Sequence, residues 1–202
     1  MIASYFDNFG FTQHQFNLDE LIPIKEEILR IEQNFDSAIP YNSGLLGNLR
    51  REYALQTSVK YLESLVLPYA NGYMQHFYKN RMEFNSKLFL KSAWVNFQQK
   101  YEFNPMHMHS GLLSFVIWIK IPYDMKTELE LSPGVNAAEN MAGSFNFIYT
   151  DTMGGINTHK IEADKTMENT LIIFPAEMRH CVYPFYSSDE YRISVSGNFF
   201  AE

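Results

Sequence analysis

Residues 112–123 read LLSFVIWIKIPY, a short run rich in aromatic and β-branched residues that predicts a β-strand ending near Pro122. Five further stretches of this kind occur between residue 87 and the C-terminus: LFLKSAWVNFQQKYEF, GSFNFIYT, NTHKIEA, NTLIIFPA and YRISVSGNFF. Pro, Gly, Asn and Asp residues separate them. Six to eight short strands in this region predict a β-sandwich or a jelly roll.

The first part of the chain carries helical patterns instead. Residues 18–36, LDELIPIKEEILRIEQNFD, place apolar side chains at helical spacing, with Pro23 in the expected first turn. A second helix is predicted for residues 53–78, which contain a similar apolar stripe. Pro68 and Gly72 should break or kink that second helix, because proline removes a backbone hydrogen bond.

These patterns predict an α+β, mainly β fold in a single domain, residues 1–202. A mainly helical part, residues 1–86, should pack its helices on one face of a β core, residues 87–202. No flexible linker separates the two parts, so the change of pattern does not indicate a domain boundary.

Composition and charge exclude several classes of protein. The chain has 202 residues and a formal net charge of -7, and an extended nucleic-acid surface would require clustered Lys and Arg instead. Cys181 is the only cysteine, so no intrachain disulfide can form, as is typical of the reducing cytosol. The polar residues 1–16 predict that no signal peptide is present, and no apolar stretch approaches ~20 residues. We expect a cytoplasmic protein with no membrane partner. The sequence is compatible with a homodimer.

Three histidines form a candidate metal site. His107 and His109 lie in NPMHMHSG, and side chains two residues apart in a strand point the same way. His180 follows the predicted strand LIIFP, in the turn into the next segment, where a folded sheet can bring it to the same ion. Such a set of side chains points to non-haem iron.

The set has no carboxylate, although two histidines and one carboxylate are the usual ligands of such iron. His109 stands where that carboxylate is common. Three neutral imidazoles would leave the iron more positive by about one charge than a carboxylate triad. Alternatively, only two histidines bind, and water or an acid from elsewhere, such as Glu102 or Asp124, completes the site.

The last predicted strand has one polar face, which either contacts water or lines a pocket. Its polar residues alternate with apolar ones and are Arg192, Ser194, Ser196 and Asn198. In a pocket, Arg192 can bind the far carboxylate of an organic acid through two parallel hydrogen bonds, and Ser194 adds a hydroxyl donor. The nearby histidine pattern favours the pocket.

The order of WVNF, NPMHMHSG, LIIFPAEMRHCVYP and YRISVSGNF resembles the 2-oxoglutarate- and iron(II)-dependent oxygenases of tailed phages and bacteria. The likeness covers about residues 91–200. It implies a double-stranded β-helix, a cupin-like jelly roll, with iron near its open end. By position it implies that His107 and His180 bind Fe(II), that Arg192 anchors the cosubstrate 2-oxoglutarate, and that Ser194 supports it.

The resemblance implies a dioxygenase that hydroxylates its substrate and releases succinate and CO2. Asn96 and Tyr149 are additional candidate contacts of the cosubstrate because of their strand positions, whereas Trp94 and Trp118 are expected in the core. The substrate class stays open between a protein, a nucleotide and a small molecule. If the chain is phage-encoded, its compartment is the host cytoplasm.

Two other functions stay open. A three-histidine, cupin-type dioxygenase would use no 2-oxoglutarate, although such enzymes usually carry a glutamate shortly after the histidine pair, which SGLLS at residues 110–114 lacks. A jelly-roll binding or virion-associated protein would keep the fold without catalysis. Succinate production separates the first alternative from a 2-oxoglutarate enzyme.

Overall fold

The computed structural model describes residues 8–41, 46–79 and 86–202. The strands in these ranges are β1 (Thr12–Gln15), β2 (Glu52–Ala54), β3 (Leu88–Gln98), β4 (Asn104–His107), β5 (Leu113–Lys120), β6 (Phe145–Thr150), β7 (Ile156–Ile161), β8 (Thr170–Pro175), β9 (Arg179–Val182) and β10 (Arg192–Ala201). The α-helices are α1 (Ile22–Gln33), α2 (Val59–Phe77) and α3 (Met125–Leu131). Single 3₁₀ turns at Leu18–Leu21 and Phe35–Ser37 flank α1.

The strands form two antiparallel sheets. The larger sheet has the strand order β1-β8-β5-β10-β3-β2, and the smaller sheet has the order β4-β9-β6-β7. All described pairings between these strands are antiparallel. Strands β1 and β2 form the two edges of the larger sheet, so the N-terminal part contributes strands as well as helices.

The larger sheet is covered on its outer face by helices, as the sequence predicts. Strand β5 is buried along its length except at its last residue, and a strand covered on both faces reads as a continuous apolar run. Its outward side chains Phe115 and Ile117 join Ile28 of α1 and Leu62 and Val66 of α2 in one core. Burying this surface removes apolar area from water, which stabilises the arrangement.

A second core lies between the two sheets. Val116 and Trp118 of β5 meet Phe145 and Phe147 of β6, together with Phe174 of β8. The alternation of strand side chains therefore divides β5 between two cores, with odd positions outward and even positions inward. The inner core borders the polar pocket described below.

A buried carboxylate fixes the segment between β2 and α2. Glu27 of α1 accepts hydrogen bonds from the backbone N–H groups of Gln56 (2.7 Å), Thr57 (3.0 Å) and Ser58 (2.7 Å). It also accepts one from the Ser58 hydroxyl at 2.6 Å. These three residues immediately precede α2, and Ser58 is its N-cap residue. Glu27 thereby holds α2, and the strand before it, in place.

The predicted second helix begins later than expected. Residues 53 and 54 belong to β2, which pairs with β3, and α2 starts at Val59. The apolar stripe predicts α2 correctly. Strand β2 has only three residues and is too short to produce a recognisable sequence pattern. Strand β1 was not predicted for the same reason.

Of the break or kink predicted at Pro68 and Gly72, the break is wrong, because α2 runs through both residues. A proline inside a helix costs about 3 kcal/mol. Burial of the helix face offsets that cost: the buried residues of α2 are Leu62, Val66, Ala70, Tyr73 and Met74. Tertiary contacts therefore override the local preference.

The six C-terminal stretches predicted as strands are all strands in the structure. His180 lies within the short strand β9 and not in a turn, which changes how it reaches its neighbours. Among the helices of the described ranges, none combines the length and the apolar character needed to cross a membrane.

Candidate metal and cosubstrate site

The three histidines come together because β4 and β9 pair at the edge of the smaller sheet. His107 of β4 and His180 of β9 are direct cross-strand partners, so their side chains leave the sheet side by side. His109 lies just beyond the end of β4. Its backbone N–H donates to the carbonyl of Ala176 at 2.8 Å, which holds the chain beside the β8–β9 connection.

The imidazole rings form a compact cluster. Ring centroids are 4.2 Å apart for His107 and His180, 5.0 Å for His107 and His109, and 5.1 Å for His109 and His180. Each ring offers one nitrogen such that all three atoms lie within 4.8 Å of one another. Three nitrogens this close can coordinate a single ion, because iron and zinc bind imidazole nitrogen at about 2 Å.

Hydrogen bonds define which nitrogen faces the centre of the cluster. Nδ1 of His107 is 2.7 Å from the carbonyl oxygen of Pro105, and Nδ1 of His180 is 2.9 Å from that of Met178. A carbonyl can only accept, so both Nδ1 atoms carry the proton and both Nε2 atoms keep a free lone pair. This backbone support is the usual arrangement behind metal-binding histidines.

Burial keeps the three imidazoles neutral at physiological pH. Desolvation lowers the pKa of His107, even though its bond to the Pro105 carbonyl acts in the opposite direction. Burial and the proximity of His107 lower the pKa of His109 to about 4. Burial also holds the pKa of His180 well below its usual value. Since only a neutral imidazole binds metal, the cluster is ready to accept an ion without first losing protons.

The donor set fits an iron ion, and in the described part of the chain it contains no carboxylate. Asp124 is exposed and caps α3 by accepting a hydrogen bond from the Thr127 N–H at 2.9 Å. Glu102 accepts one from the Gln99 N–H at 2.8 Å. Neither acid suggested by the sequence joins the cluster, so within the described ranges its protein donors are the three histidines.

The cluster opens into a pocket between the sheets. Apolar side chains form much of its wall, and its polar lining consists of Glu52, Asn96, Gln98, Asn104, Arg192, Ser194 and Ser196. Three of the four polar residues of β10, Arg192, Ser194 and Ser196, therefore line the pocket, whereas Asn198 accepts a hydrogen bond from the Ser114 hydroxyl at 2.7 Å. Trp94 and Trp118 are buried as expected, but both also line this pocket.

Arg192 is buried in this pocket, with 3% of its surface exposed, and all five of its N–H groups are used. Nε and Nη2 donate to the side-chain oxygen of Gln98 at 3.2 and 2.6 Å. Nη1 donates to the Tyr123 hydroxyl (2.6 Å) and the Gly143 carbonyl (2.8 Å), and Nη2 also donates to the Tyr183 carbonyl (3.0 Å). Every one of these acceptors is a neutral group.

A buried cation among neutral acceptors fits an anionic ligand. The described ion pairs do not include Arg192, so no protein carboxylate neutralises its charge there. The amide oxygen of Gln98 spans the two donors that a carboxylate would take in a bidentate contact. A cosubstrate carboxylate therefore has to replace the Gln98 oxygen before it can bind Arg192 in that way.

Two of the remaining predicted residues differ in their placement. Asn96 lines the pocket, where its Nδ2 lies 3.2 Å from Oγ of Ser194 and 3.4 Å from Oγ of Ser196. Tyr149 is 37% exposed and does not line the pocket. Strand β6 extends past the end of β9 at this point, because their pairing stops at Ile148, so Tyr149 faces solvent.

The structure adds residues that the sequence analysis did not select: Gln98, Tyr123, Glu52 and Asn104. Gln98 could have been found, because it continues the inward alternation of β3 two positions after Asn96. Tyr123 and Glu52 lie far from the motifs in sequence, and only the sheet topology brings them to the pocket wall or to Arg192.

Comparison with known proteins agrees with this geometry. A family model described as "Putative 2OG-Fe(II) oxygenase" matches residues 92–198, more than half of the chain. The matched region contains the three histidines and Arg192. No curated protein matches the sequence.

Solved structures share the fold at low sequence identity. A prolyl-4-hydroxylase from Pseudomonas putida has a TM-score of 0.59 at 14% identity, over 96% of this chain and 94% of its own. The viral collagen prolyl hydroxylase of Paramecium bursaria Chlorella virus-1, solved with 2-oxoglutarate, has a TM-score of 0.55 at 12% identity over 94% of both chains. The epimerase SnoN, solved with Fe³⁺ and α-ketoglutarate, reaches 0.58 at 12% identity, over 95% of this chain and 79% of its own.

The first test concerns the third histidine. His109→Ala should weaken Co(II) binding at least about tenfold, because one of three nitrogen donors is lost. His109→Asp should retain binding, since a carboxylate is a usual third ligand beside two histidines. Both are measured by anaerobic calorimetric titration, with His159→Ala, which removes a histidine outside the cluster, as the matched control. Unchanged Co(II) affinity in His109→Ala would mean that only two histidines bind.

Proposed function

Because the chain belongs to the family of 2OG-Fe(II) oxygenases, we propose that it is a non-haem Fe(II)- and 2-oxoglutarate-dependent dioxygenase that hydroxylates its substrate. The observation that carries this proposal is the presence of three neutral imidazoles and one buried, uncompensated arginine in the same pocket. Imidazoles suit iron, and the arginine suits an organic acid. Enzymes of this family are oxidoreductases.

The proposed ligands of iron are His107, His109 and His180, with Nε2 of His107 and His180 facing the ion. Arg192 is the proposed anchor of the far carboxylate of 2-oxoglutarate. Ser194, whose hydroxyl is held by Asn96, supports that end of the cosubstrate. When bound, iron and 2-oxoglutarate supply the chemistry, in which O2, the substrate and 2-oxoglutarate yield hydroxylated substrate, succinate and CO2.

The protein's own contribution is orientation and exclusion of water. Phe145 stacks on His180 with ring centroids 5.4 Å apart, and Phe174 meets the same ring edge-on at 5.0 Å. Trp94 covers His109 at 5.5 Å. These apolar walls fix the rings and lower the local dielectric, which strengthens the attraction between Arg192 and a carboxylate. The neutral ligands leave the charge of the iron to be balanced by the cosubstrate.

The architecture is proposed to be a double-stranded β-helix in a single domain, residues 1–202. Support comes from the two facing antiparallel sheets and from β1 and β2, which join the larger sheet from the N-terminal part. In this architecture the proposed site lies at β4, the edge strand of the smaller sheet that pairs with β9.

A three-histidine dioxygenase without 2-oxoglutarate is the second candidate, because the cluster contains no carboxylate. Arg192 argues against it. Such an enzyme has no need for a buried guanidinium that lies in the iron pocket and takes part in none of the described ion pairs. Release of succinate from 2-oxoglutarate separates the two candidates.

Arg192→Ala tests the cosubstrate anchor. It should weaken 2-oxoglutarate binding by about ten- to a hundredfold, the equivalent of losing hydrogen bonds to a charged group. Co(II) binding should persist, because the histidines are untouched. Calorimetric titration of metal and then cosubstrate measures both affinities, and thermal unfolding verifies the fold. Arg179→Ala is the matched control, since Arg179 precedes His180 but is exposed. Unchanged cosubstrate affinity would reject Arg192 as the anchor.

Gln98→Leu tests whether the Gln98 amide occupies the position of the carboxylate. The loss of a buried acceptor should lower the free energy of unfolding of the ligand-free protein by about 1–3 kcal/mol. The same loss should raise 2-oxoglutarate affinity several-fold, because the carboxylate no longer has to replace a protein acceptor. Stability and affinity thus move in opposite directions, as chemical denaturation and calorimetry can measure. Weaker cosubstrate binding by a folded variant would contradict this role.

A further inference from the structure

The pocket contains a carboxylate that the proposed iron and cosubstrate chemistry does not use. Glu52 belongs to the edge strand β2, is only 3% exposed, and lines the pocket. Its direct cross-strand partner is Asn96 of β3. Asn96 in turn lies opposite Ser194 of β10, so Glu52 lies two strands away from the strand that carries Arg192.

Two asparagines that line the same pocket each carry a side-chain oxygen without a hydrogen-bond donor. Oδ1 of Asn96 and Oδ1 of Asn104 are both inaccessible to solvent and receive no hydrogen bond. Asn96 is itself 93% buried, as its exposed fraction is 7%. Buried acceptors without a donor cost about 1–3 kcal/mol each, so a native site that keeps them is suited to a ligand that brings donors.

Residues 46–51 bring these groups to one side of the pocket. This segment leads into β2 and crosses to the start of β4, where the Asn48 N–H donates to the Phe103 carbonyl at 3.0 Å. Gly47 sits directly against Asn104, since a Cβ at Gly47 would lie 2.1 Å from Oδ1 of Asn104. The segment therefore joins the edge of the larger sheet, which carries Glu52, to the edge strand that carries Asn104.

The charge distribution separates this side of the pocket from the Arg192 side. Burial and the negative charge of Glu102 raise the pKa of Glu52 to about 7. Among the described residues that line the pocket, Arg192 is the one with a permanent positive charge, and neutral acceptors already surround it. A positively charged ligand group near Glu52 would favour the ionised carboxylate.

We propose that Glu52, Asn96 and Asn104 bind the primary ammonium group of the substrate. This assignment of the substrate rests on the proposed dioxygenase function. An ammonium group has three N–H donors and no acceptor. The three side chains offer one carboxylate and two amide oxygens, which matches that set of donors. The substrate class is therefore an aliphatic amine, either a small molecule or a lysine-like side chain.

The walls beside these acceptors suit the aliphatic part of such a substrate. Leu46 and Leu49 of the segment before β2 line the pocket, together with Trp94. Alkyl stems bury against apolar side chains while the charged end reaches polar groups, and a tryptophan face adds attraction for a cation. The amine would enter with its ammonium group at Glu52 and its stem along these walls, near His109.

The test uses n-butylammonium as the probe and the full chain loaded with Zn(II), with and without 2-oxoglutarate, at pH 8. Calorimetric titration should show that Glu52→Gln weakens butylammonium binding at least tenfold. Glu130→Gln, which removes an exposed carboxylate outside the pocket, should leave it unchanged. 1-Butanol and butyltrimethylammonium should bind much more weakly than butylammonium, because the first lacks the charge and the second lacks the N–H donors. Equal binding by wild type and Glu52→Gln would overturn the proposal.

Two further measurements keep the outcome unambiguous. If Glu52→Gln unfolds, Asn104→Asp is used instead. An added carboxylate should strengthen butylammonium binding several-fold. Unchanged or weaker binding by Asn104→Asp would overturn the proposal. The 2-oxoglutarate affinity of each sample is measured in parallel. Glu52-dependent amine binding without any cosubstrate binding would refute the proposed function alone, whereas normal cosubstrate binding without amine binding would refute only the substrate assignment.

Discussion

The cross-strand pairing of β4 with β9 is the constraint on which the candidate site depends. It sets His107 directly opposite His180, so that the two imidazoles leave the sheet side by side. Backbone carbonyls of Pro105 and Met178 then fix both rings through Nδ1. The surrounding aromatic side chains help to bury the rings, and this burial lowers the pKa of each imidazole and keeps it neutral. Strand pairing, ring orientation and protonation state thus follow from one short edge of the smaller sheet.

The second constraint is the need of the buried Arg192 guanidinium for hydrogen-bond acceptors. A guanidinium buried between two sheets has five N–H donors, and four acceptor groups satisfy them, from Gln98 (which accepts twice), Tyr123, Gly143 and Tyr183. These neutral groups satisfy its hydrogen bonds but leave its charge uncompensated. The same site is therefore stable without an acid and electrostatically suited to one. A cosubstrate carboxylate would therefore bind Arg192 by displacing the Gln98 oxygen, because the guanidinium has no unused N–H donor.

Much of the fold could be predicted from the sequence, because the C-terminal strands are long enough to show their composition. The run LSFVIWIK of β5 is one example. Short elements such as β2 show no recognisable sequence pattern. Pro68 favours a helix break that does not occur, because burial of the α2 face offsets the cost of a proline inside the helix. The His-x-His spacing of His107 and His109 and the position of Arg192 on the last strand predict the site. Glu52 could not be foreseen, since its place beside Asn96 depends on an edge pairing that no local pattern encodes.

The most direct measurement is an anaerobic titration of the metal-free protein with Fe(II) and then with 2-oxoglutarate, followed by visible absorption. The chelate of a 2-oxo acid on Fe(II) gives a charge-transfer band, so the account predicts a band that saturates with one cosubstrate per iron. Iron binding without the band would contradict the assignment of Arg192 and favour the three-histidine alternative. Failure to bind iron at all would contradict the assignment of the histidine cluster itself.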